Sequence, residues 1–146
     1  MKRLVPTLYD DLQPYIGAIY PKLVVACSHS IGRYTADDIL GYIKKNHMQI
    51  WLAFDGDELD GFILTQIIEY PQAKELRFLC LSGVKVEGWQ AFVETIEDWI
   101  PFTKEVEDWG KSLGCSISQI ECPATWEIYM RDFEYKRGHI LLCKEL

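Results

Sequence analysis

A glycine-containing loop that links an apolar run to a helix-like run is the part of the sequence best suited to bind a ligand. The stretch LCLSGVKVEGWQAF covers residues 79–92. A strand, a loop with glycines and a helix in this order can bind phosphate, because backbone N–H groups at the start of a helix point toward an anion. Gly83 and Gly88 are separated by four residues, among them Lys85 and Glu87. We therefore predict the shape of a phosphate-binding loop with weak chemistry for phosphate.

The composition is that of a folded globular domain with an acidic balance. The chain has 146 residues, of which 49% are hydrophobic and 25% charged, and its formal net charge is −7. This length suits one domain with a single core. A broad nucleic-acid surface needs stripes of lysine and arginine, so the charge argues against a nucleic-acid partner.

The cysteine and histidine positions argue against a metal centre. The five cysteines form no C-x-x-C pair and the three histidines are scattered, whereas a metal site needs such residues clustered at ligand spacing. The N-terminal stretch lacks the apolar core of a signal peptide, and no apolar run approaches the ~20 residues of a membrane span. We expect a cytoplasmic protein with no metal and no membrane partner. Its thiols should be reduced, namely Cys27, Cys80, Cys115, Cys122 and Cys143.

Apolar runs separated by turn signals predict the strands. Asp55-Gly56, between two of these runs, is a strong β-hairpin signal. The runs barely alternate with polar residues, as expected for a sheet that is covered on both faces. A further short strand is predicted at residues 2–6. One mixed, mostly antiparallel sheet should contain strands at about residues 48–54, 60–70, 74–82, 115–122 and 135–144.

Apolar residues at three- and four-residue steps predict the helices. One helix covers residues 9–30, a second starts at the N-cap residue Thr35, and a long third helix follows the glycine loop. Pro101 should divide the long helix into two pieces or kink it, and Gly114 should end it. A short last helix is predicted over residues 123–133.

The order of these elements resembles the acyl-CoA N-acyltransferase fold of the GNAT superfamily. The stretches VEDWGKSLGC (106–115) and TWEIYMRDFEY (125–135) are similar to motifs of GNAT-like proteins encoded by bacteriophages. The stretch DGDELDGF (55–62) resembles a superfamily hairpin that ends in Gly-Phe. The resemblance implies an α/β (α+β) fold, with a single GNAT-like domain over residues 1–146 and helices on both faces of the sheet.

The resemblance also implies a coenzyme A site, and the sequence departs from the family pattern there. GNAT enzymes bind the coenzyme pyrophosphate with an Arg/Gln-x-x-Gly-x-Gly/Ala loop, whereas the equivalent stretch here is SGVKVEGW. This stretch lacks the Gly-x-Gly pair, and Glu87 places a negative charge where phosphate would lie. We expect weak or absent binding of acetyl-CoA or CoA. Any contacts would come from Leu81, Gly83, Val84, Lys85 and Gly88.

Candidate catalytic residues follow from the same resemblance. Many GNAT enzymes place a tyrosine four residues before the Gly-Phe/Tyr that ends the last helix, where it protonates the leaving thiolate. That position is Met130 here, and Tyr129 lies next to it, about 100° around the helix. A base must also take a proton from the amine, and Glu75 matches the location used by some members, with Glu69 as a weaker candidate. The resemblance thus implies Glu75 as the base, and it implies Tyr129 as the acid only if the register slips by one residue.

Two functional hypotheses follow. In the first, the chain is phage-encoded, has a degenerate coenzyme site and acts as a structural or interaction module. Its partner would be another protein, either a virion component or a host factor, and it would lie in the host cytoplasm or the virion. In the second, it is a small N-acetyltransferase that moves an acetyl group from acetyl-CoA to an amine. The departures in the loop and at Met130 favour the first. A third alternative is an acidic mimic of nucleic acid.

Overall fold

The computed structural model describes residues 2–85 and 89–146, and the side chains of residues 89–96 lie outside that description. The strands form one sheet in the order of the chain. Each pair of neighbours among the first four strands is antiparallel, and the fifth strand is parallel to the fourth. These strands are β1 (Lys2–Thr7), β2 (Gln49–Asp55), β3 (Glu58–Glu69), β4 (Lys74–Gly83) and β5 (Ile117–Ile120). The predicted mixed, mostly antiparallel sheet is confirmed.

Helices cover both faces of this sheet, as predicted. A 3₁₀ helix over Tyr9–Tyr15 leads into the first α-helix, and short 3₁₀ turns flank the last one at Ala124–Trp126 and Arg131–Phe133. The α-helices are α1 (Ile16–Ser28), α2 (Ala36–Lys44), α3 (Trp89–Ser112) and α4 (Glu127–Met130). In the described part of the chain, no helix is long and apolar enough to cross a bilayer.

The first two helices cover one face of the sheet and form its core with β2 and β3. The core on this α1–α2 face contains Leu12, Ile19, Leu23, Ile39, Ile43, Ile50, Leu52, Phe62 and Leu64. A capping box holds the start of α2, since the Thr35 hydroxyl accepts from the Asp38 N–H at 3.1 Å and the Asp38 carboxylate accepts from the Thr35 N–H at 2.9 Å. Hydrogen bonds from Thr35 to the carboxylate, above all that of its backbone N–H, hold the pKa of Asp38 below its ordinary value.

The last two helices cover the opposite face. Their core with β3 and β4 contains Ile63, Leu76, Phe78, Leu81, Trp99, Phe102, Val106, Met130 and Phe133. Trp109 and Trp126, the tryptophans of the two resembling motifs, are half-buried against this α3–α4 core. The Trp109 ring meets the Trp51 ring edge-on at 5.0 Å, so it contributes to packing rather than to an exposed surface.

Two expectations about the C-terminal half need correction. α3 is not divided at Pro101 but runs through it as one helix, because the loss of a single N–H donor is small against the burial of Trp99, Phe102 and Val106 on the sheet. The alternative, a kink at Pro101, stays a prediction. Residues 135–144 form no strand, and the apolar side chains that were expected to lie in the sheet are exposed. β5 is also shorter than predicted and only partly buried.

Gly61 on β3 allows the closest approach between the sheet and α3. An alanine Cβ there would lie 2.4 Å from the carbonyl oxygen of Ser82 and 2.7 Å from Cη2 of Trp99. Because backbone and a packed indole cannot both move away, Gly61→Ala should lower the free energy of unfolding by about 1–3 kcal/mol, measured by urea denaturation. Gly41→Ala in α2, where no atom lies within 4 Å, is the control and should be neutral or stabilising. Equal stability of the two variants would contradict this packing.

Candidate functional site

β4 and β5 pair over only four residues, and the rest of β4 has an open edge. The parallel pairing runs from Glu75 opposite Ile117 to Phe78 opposite Ile120. β4 continues to Gly83, and on its other side it stays paired with β3. Within the described residues, no strand covers the outer edge of residues 79–83. That edge presents backbone groups that an extended ligand with amides could pair with.

A β-bulge lies at the point where the pairing with β5 ends. The register between β3 and β4 shifts from Leu64 opposite Cys80 to Thr65 opposite Phe78, so Leu79 is the extra residue. Bulges bend a strand and re-aim its groups, and they are frequent beside active sites. The open edge of β4 therefore starts at a bend.

Two described donors of the glycine loop, the Val84 N–H and the Lys85 ammonium, already have partners. The Val84 N–H donates to the Asp60 carbonyl at 3.0 Å, which extends the β3–β4 pairing past Gly83. Lys85 Nζ lies 2.6 Å from the carboxylate of Glu58, and this exposed ion pair raises the pKa of Lys85. Neither group is free to meet a phosphate without losing its present contact.

The other predicted coenzyme contacts differ in position. Leu81 is buried in the α3–α4 core, so its side chain does not face an open site. Gly83 is the last residue of β4 and lies opposite Gly61. Gly88 and Glu87, on which the charge argument partly depends, lie outside the described residues.

Glu75 is a buried carboxylate held by an arginine. Its residue exposure is 4%, and Arg77 Nε donates to Glu75 Oε2 at 2.9 Å. Arg77 Nη2 also lies 2.9 Å from Glu75 Oε2 and donates to the Tyr70 hydroxyl at 3.2 Å. Arg77 Nη1 lies 3.9 Å from Glu121. The carboxylate is thus a fixed member of a polar cluster rather than a solvated charge at a strand end.

The two predicted catalytic residues belong to opposite faces of the sheet. Glu75 alternates along β4 with Leu76, whose side chain is in the α3–α4 core, so Glu75 points to the α1–α2 face. Tyr129 is half-buried against the α3–α4 core, beside the buried Met130. If Glu75 and Tyr129 acted on one substrate, that substrate would therefore have to contact both faces of the sheet at the edge where β5 ends.

A second polar cluster on the α3–α4 face was not found by the sequence reasoning. The Tyr135 hydroxyl bonds the Ser118 hydroxyl of β5 and donates to Glu107 Oε1 of α3 at 3.4 Å. Burial raises the pKa of Tyr135 and that of Glu107. Glu107 and Ser118 are 11 positions apart in the sequence, and Ser118 and Tyr135 are 17 positions apart. No local sequence motif indicates a contact between residues at such separations.

The thiols and a cavity beside β1 and β2 lie outside these two polar clusters. All five cysteines are free, and burial raises the pKa of Cys80 to about 12, which argues against a thiolate nucleophile. Among the described residues, no group of histidine, cysteine and acidic side chains could hold a metal ion. A cavity of about 340 Å³ opens beside the end of β1 and the start of β2. Its lining includes Pro6, Leu8, Ile43, Met48, Trp51 and Trp109.

Comparison with known proteins identifies the fold. No family model matches the sequence, and no curated protein is significantly similar to it. A GCN5-related N-acetyltransferase from Ralstonia eutropha superposes with a TM-score of 0.68 at 12% identity, covering 99% of each chain. An aminoglycoside acetyltransferase from a soil metagenomic sample, solved with sisomicin, gives 0.67 at 8% identity, covering 99% of this chain and 96% of that one.

A third neighbour carries the coenzyme. It is a predicted acetyltransferase from Clostridium acetobutylicum, solved with acetyl-CoA, with a TM-score of 0.65 at 8% identity, and the match covers 99% of this chain and 96% of that one. The chain therefore has the GNAT acetyltransferase fold, as the order of its elements predicted. At such low identity the likeness is one of fold, because function depends on individual sites. The resemblance to phage-encoded members stays a prediction.

Proposed function

We propose that this chain is a GNAT-fold protein with a weakened coenzyme A site that acts mainly by binding another protein. In keeping with the phage-type motifs, that partner would be a virion component or a host factor. The observation that carries the proposal is that two described donors of the loop are used within the fold. The Val84 N–H donates to the backbone carbonyl of Asp60, and the Lys85 ammonium forms an ion pair with the Glu58 carboxylate.

The energetic argument concerns the coenzyme pyrophosphate. A productive site needs several free N–H groups and a cation directed at the phosphates. Two missing charge-assisted contacts, each contributing about 1.5–3 kcal/mol, weaken binding by several orders of magnitude. We therefore expect acetyl-CoA and CoA to bind with a dissociation constant above ~100 μM, or not at all.

The state of Glu75 supports the same proposal. A general base needs a lone pair directed at the amine from which it takes a proton. Arg77 places two N–H donors on one carboxylate oxygen of Glu75, and the residue is almost fully buried. With Oε2 held by the guanidinium, only Oε1 is left to accept a proton, and the burial of the residue leaves an amine little access to it. Such a carboxylate is better suited to structure than to proton transfer.

One observation favours the alternative, an N-acetyltransferase. The bulged, open edge of β4 at residues 79–83 suits an extended chain with amide groups, such as the pantetheine arm of acetyl-CoA. In that reaction the amine nitrogen bonds to the acetyl carbon and the carbon–sulfur bond breaks. Glu75 would accept the proton lost by the amine, and Tyr129 would protonate the departing thiolate.

Isothermal titration with acetyl-CoA and CoA at millimolar concentration tests the proposal directly. Wild type should show a dissociation constant above ~100 μM. Glu58→Gln should strengthen binding severalfold, because it releases Lys85 toward the phosphates. Glu69→Gln is the matched control, since Glu69 is equally exposed at the other end of β3 and pairs with Lys74 at 3.3 Å. It should leave binding unchanged.

A low-micromolar dissociation constant for the wild type would overturn the weakened-site proposal. The alternative would then be tested by turnover, with Glu75→Gln and Tyr129→Phe each expected to lower the rate while coenzyme binding stays intact. If Glu58→Gln and Glu69→Gln raise the affinity equally, the effect is one of net charge and the specific role assigned to Glu58 is wrong.

A further inference from the structure

The cavity between the end of β1 and the start of β2, which we call the β1–β2 cavity, is a candidate site for a small ligand. Its volume of about 340 Å³ lies near the lower end of the range for ligand pockets, about 300–1,000 Å³. Its described lining shares no residue with β4 or with the glycine loop. Binding there would therefore be independent of the proposed coenzyme A site.

One wall of the cavity is made of rings. Pro6 and Trp51 are direct partners in the pairing of β1 with β2, so they lie side by side on the face of the sheet that α3 covers. The Trp109 ring of α3 meets the Trp51 ring edge-on at 5.0 Å, and both indoles line the cavity. Aromatic rings in proteins pack well against such surfaces. This wall therefore suits a flat, apolar ring.

A chain of hydrogen bonds fixes the amide of Gln49 in the lining. An indole N–H can only donate, and Trp51 Nε1 donates to Thr65 Oγ1 at 3.1 Å. The Thr65 hydroxyl therefore has its own proton left for Gln49 Oε1, which lies 3.0 Å away. The carbonyl end of the Gln49 amide is thus used within the fold, whereas its NH₂ end donates to no side chain or carbonyl of the described residues. The lining offers a ligand two N–H donors.

The lining also selects against ions. Its other polar side chains are those of Thr7, whose hydroxyl donates to the Val5 carbonyl at 2.9 Å, and of Asn46, which is exposed. None of the described lining residues carries a charge. An ion in the cavity would lose hydration without gaining a counter-charge, whereas a neutral acceptor would meet the Gln49 donors at less cost.

We propose that the β1–β2 cavity binds a small neutral aromatic molecule that carries a hydrogen-bond acceptor, such as an amide carbonyl. The ring packs against Trp51 and Trp109, and the acceptor receives an N–H of Gln49. Leu8, which is 66% exposed, adds an apolar contact from the rim of the cavity. This site is separate from the proposed coenzyme and partner roles and does not depend on them.

Titration of the isotope-labelled full chain with benzamide, followed by NMR, tests the site. Benzamide combines one aromatic ring with a neutral carbonyl. The indole N–H resonances of Trp51 and Trp109 should shift saturably, with a dissociation constant of about 1–10 mM for so small a ligand, and that of Trp126 should stay in place. Benzoate, which has the same ring and a negative charge, should bind at least about fivefold more weakly.

Two pairs of variants locate the contacts. Gln49→Glu keeps an acceptor for Thr65 but removes the N–H donors, so it should weaken benzamide binding at least about fivefold. Gln72→Glu, the same change in the exposed turn between β3 and β4, is the control and should leave binding unchanged. Leu8→Lys should also weaken binding, whereas Ile128→Lys, at a position of α4 that is 62% exposed, should not.

Several outcomes would overturn the site. One is a wild type whose Trp51 and Trp109 resonances show no saturable shift. Benzoate binding as tightly as benzamide, or equal affinities of Gln49→Glu and Gln72→Glu, would contradict recognition of a neutral acceptor by Gln49. Equal affinities of Leu8→Lys and Ile128→Lys would contradict the location, and this second pair decides the test if Gln49→Glu does not fold.

Discussion

Replacing Arg77 by alanine is expected to lower the free energy of unfolding by about 3 kcal/mol, because it leaves the buried Glu75 carboxylate without a cation. The Glu75 side chain is 5% exposed and that of Arg77 22%, so little water can take the place of the guanidinium. Arg77 also donates to Tyr70, and that bond is lost as well. Chemical denaturation of the purified variant measures the change.

Two further variants separate the buried charge from the loss of packing. Lys74→Ala removes another cation of β4, and the partner of this cation, Glu69, is 75% exposed. It should change the free energy of unfolding by less than ~1 kcal/mol. Glu75→Gln in the Arg77→Ala background should recover part of the loss, because a neutral amide is easier to bury than a lone carboxylate. The buried-pair interpretation fails if Arg77→Ala is no more destabilised than Lys74→Ala.

Where local chemistry decides the structure, the sequence was a good guide. The predicted N-cap at Thr35 forms, and its capping box depends on two residues, Thr35 and Asp38, that are only three positions apart. Gly56 adopts φ 61° in the hairpin and Gly114 adopts φ 90° after α3, both in the region that favours glycine. These features need no information from distant parts of the chain, which is why the order of elements and the GNAT fold could be predicted.

Where tertiary packing decides, the sequence misled. Pro101 is a helix breaker by its local chemistry, but the buried face of α3 holds the helix together around it. The segment at residues 135–144 is strand-like by composition, but pairing depends on which edge is within reach. Both errors come from applying a local rule where contacts between distant elements have the larger free energy.

The candidate site shows the same division. Its backbone frame, a strand followed by a glycine loop and a helix, could be predicted from residues 79–92. Two side-chain contacts of the site could not be predicted from the sequence. Lys85 pairs with Glu58, which lies 27 positions away in the chain. The contact between Arg77 and Glu75 depends on the direction of the side chains along β4. In our proposal the first contact weakens coenzyme binding and the second holds the candidate base, so the fold alone does not settle the activity.

Phe78→Ala should be among the most destabilising single changes in the chain, with a loss of about 3–5 kcal/mol in the free energy of unfolding. Phe78 is fully buried at the last position where β4 pairs with β5, and its ring meets the Tyr135 ring edge-on at 6.5 Å. Removing the ring leaves a cavity between β4, β5 and the residues after α4, so hydrogen exchange at residues 117–120 should accelerate more than at β2.

Two control variants test whether the loss comes from the buried ring. Phe78→Leu, which keeps most of the side-chain volume, should lose under ~1.5 kcal/mol in the free energy of unfolding. Ile117→Ala, a truncation at an exposed position of the same ladder, should lose less still. If Phe78→Ala and Ile117→Ala prove equally mild, Phe78 does not anchor the β4–β5 junction, and the open edge beyond it must be held by other contacts.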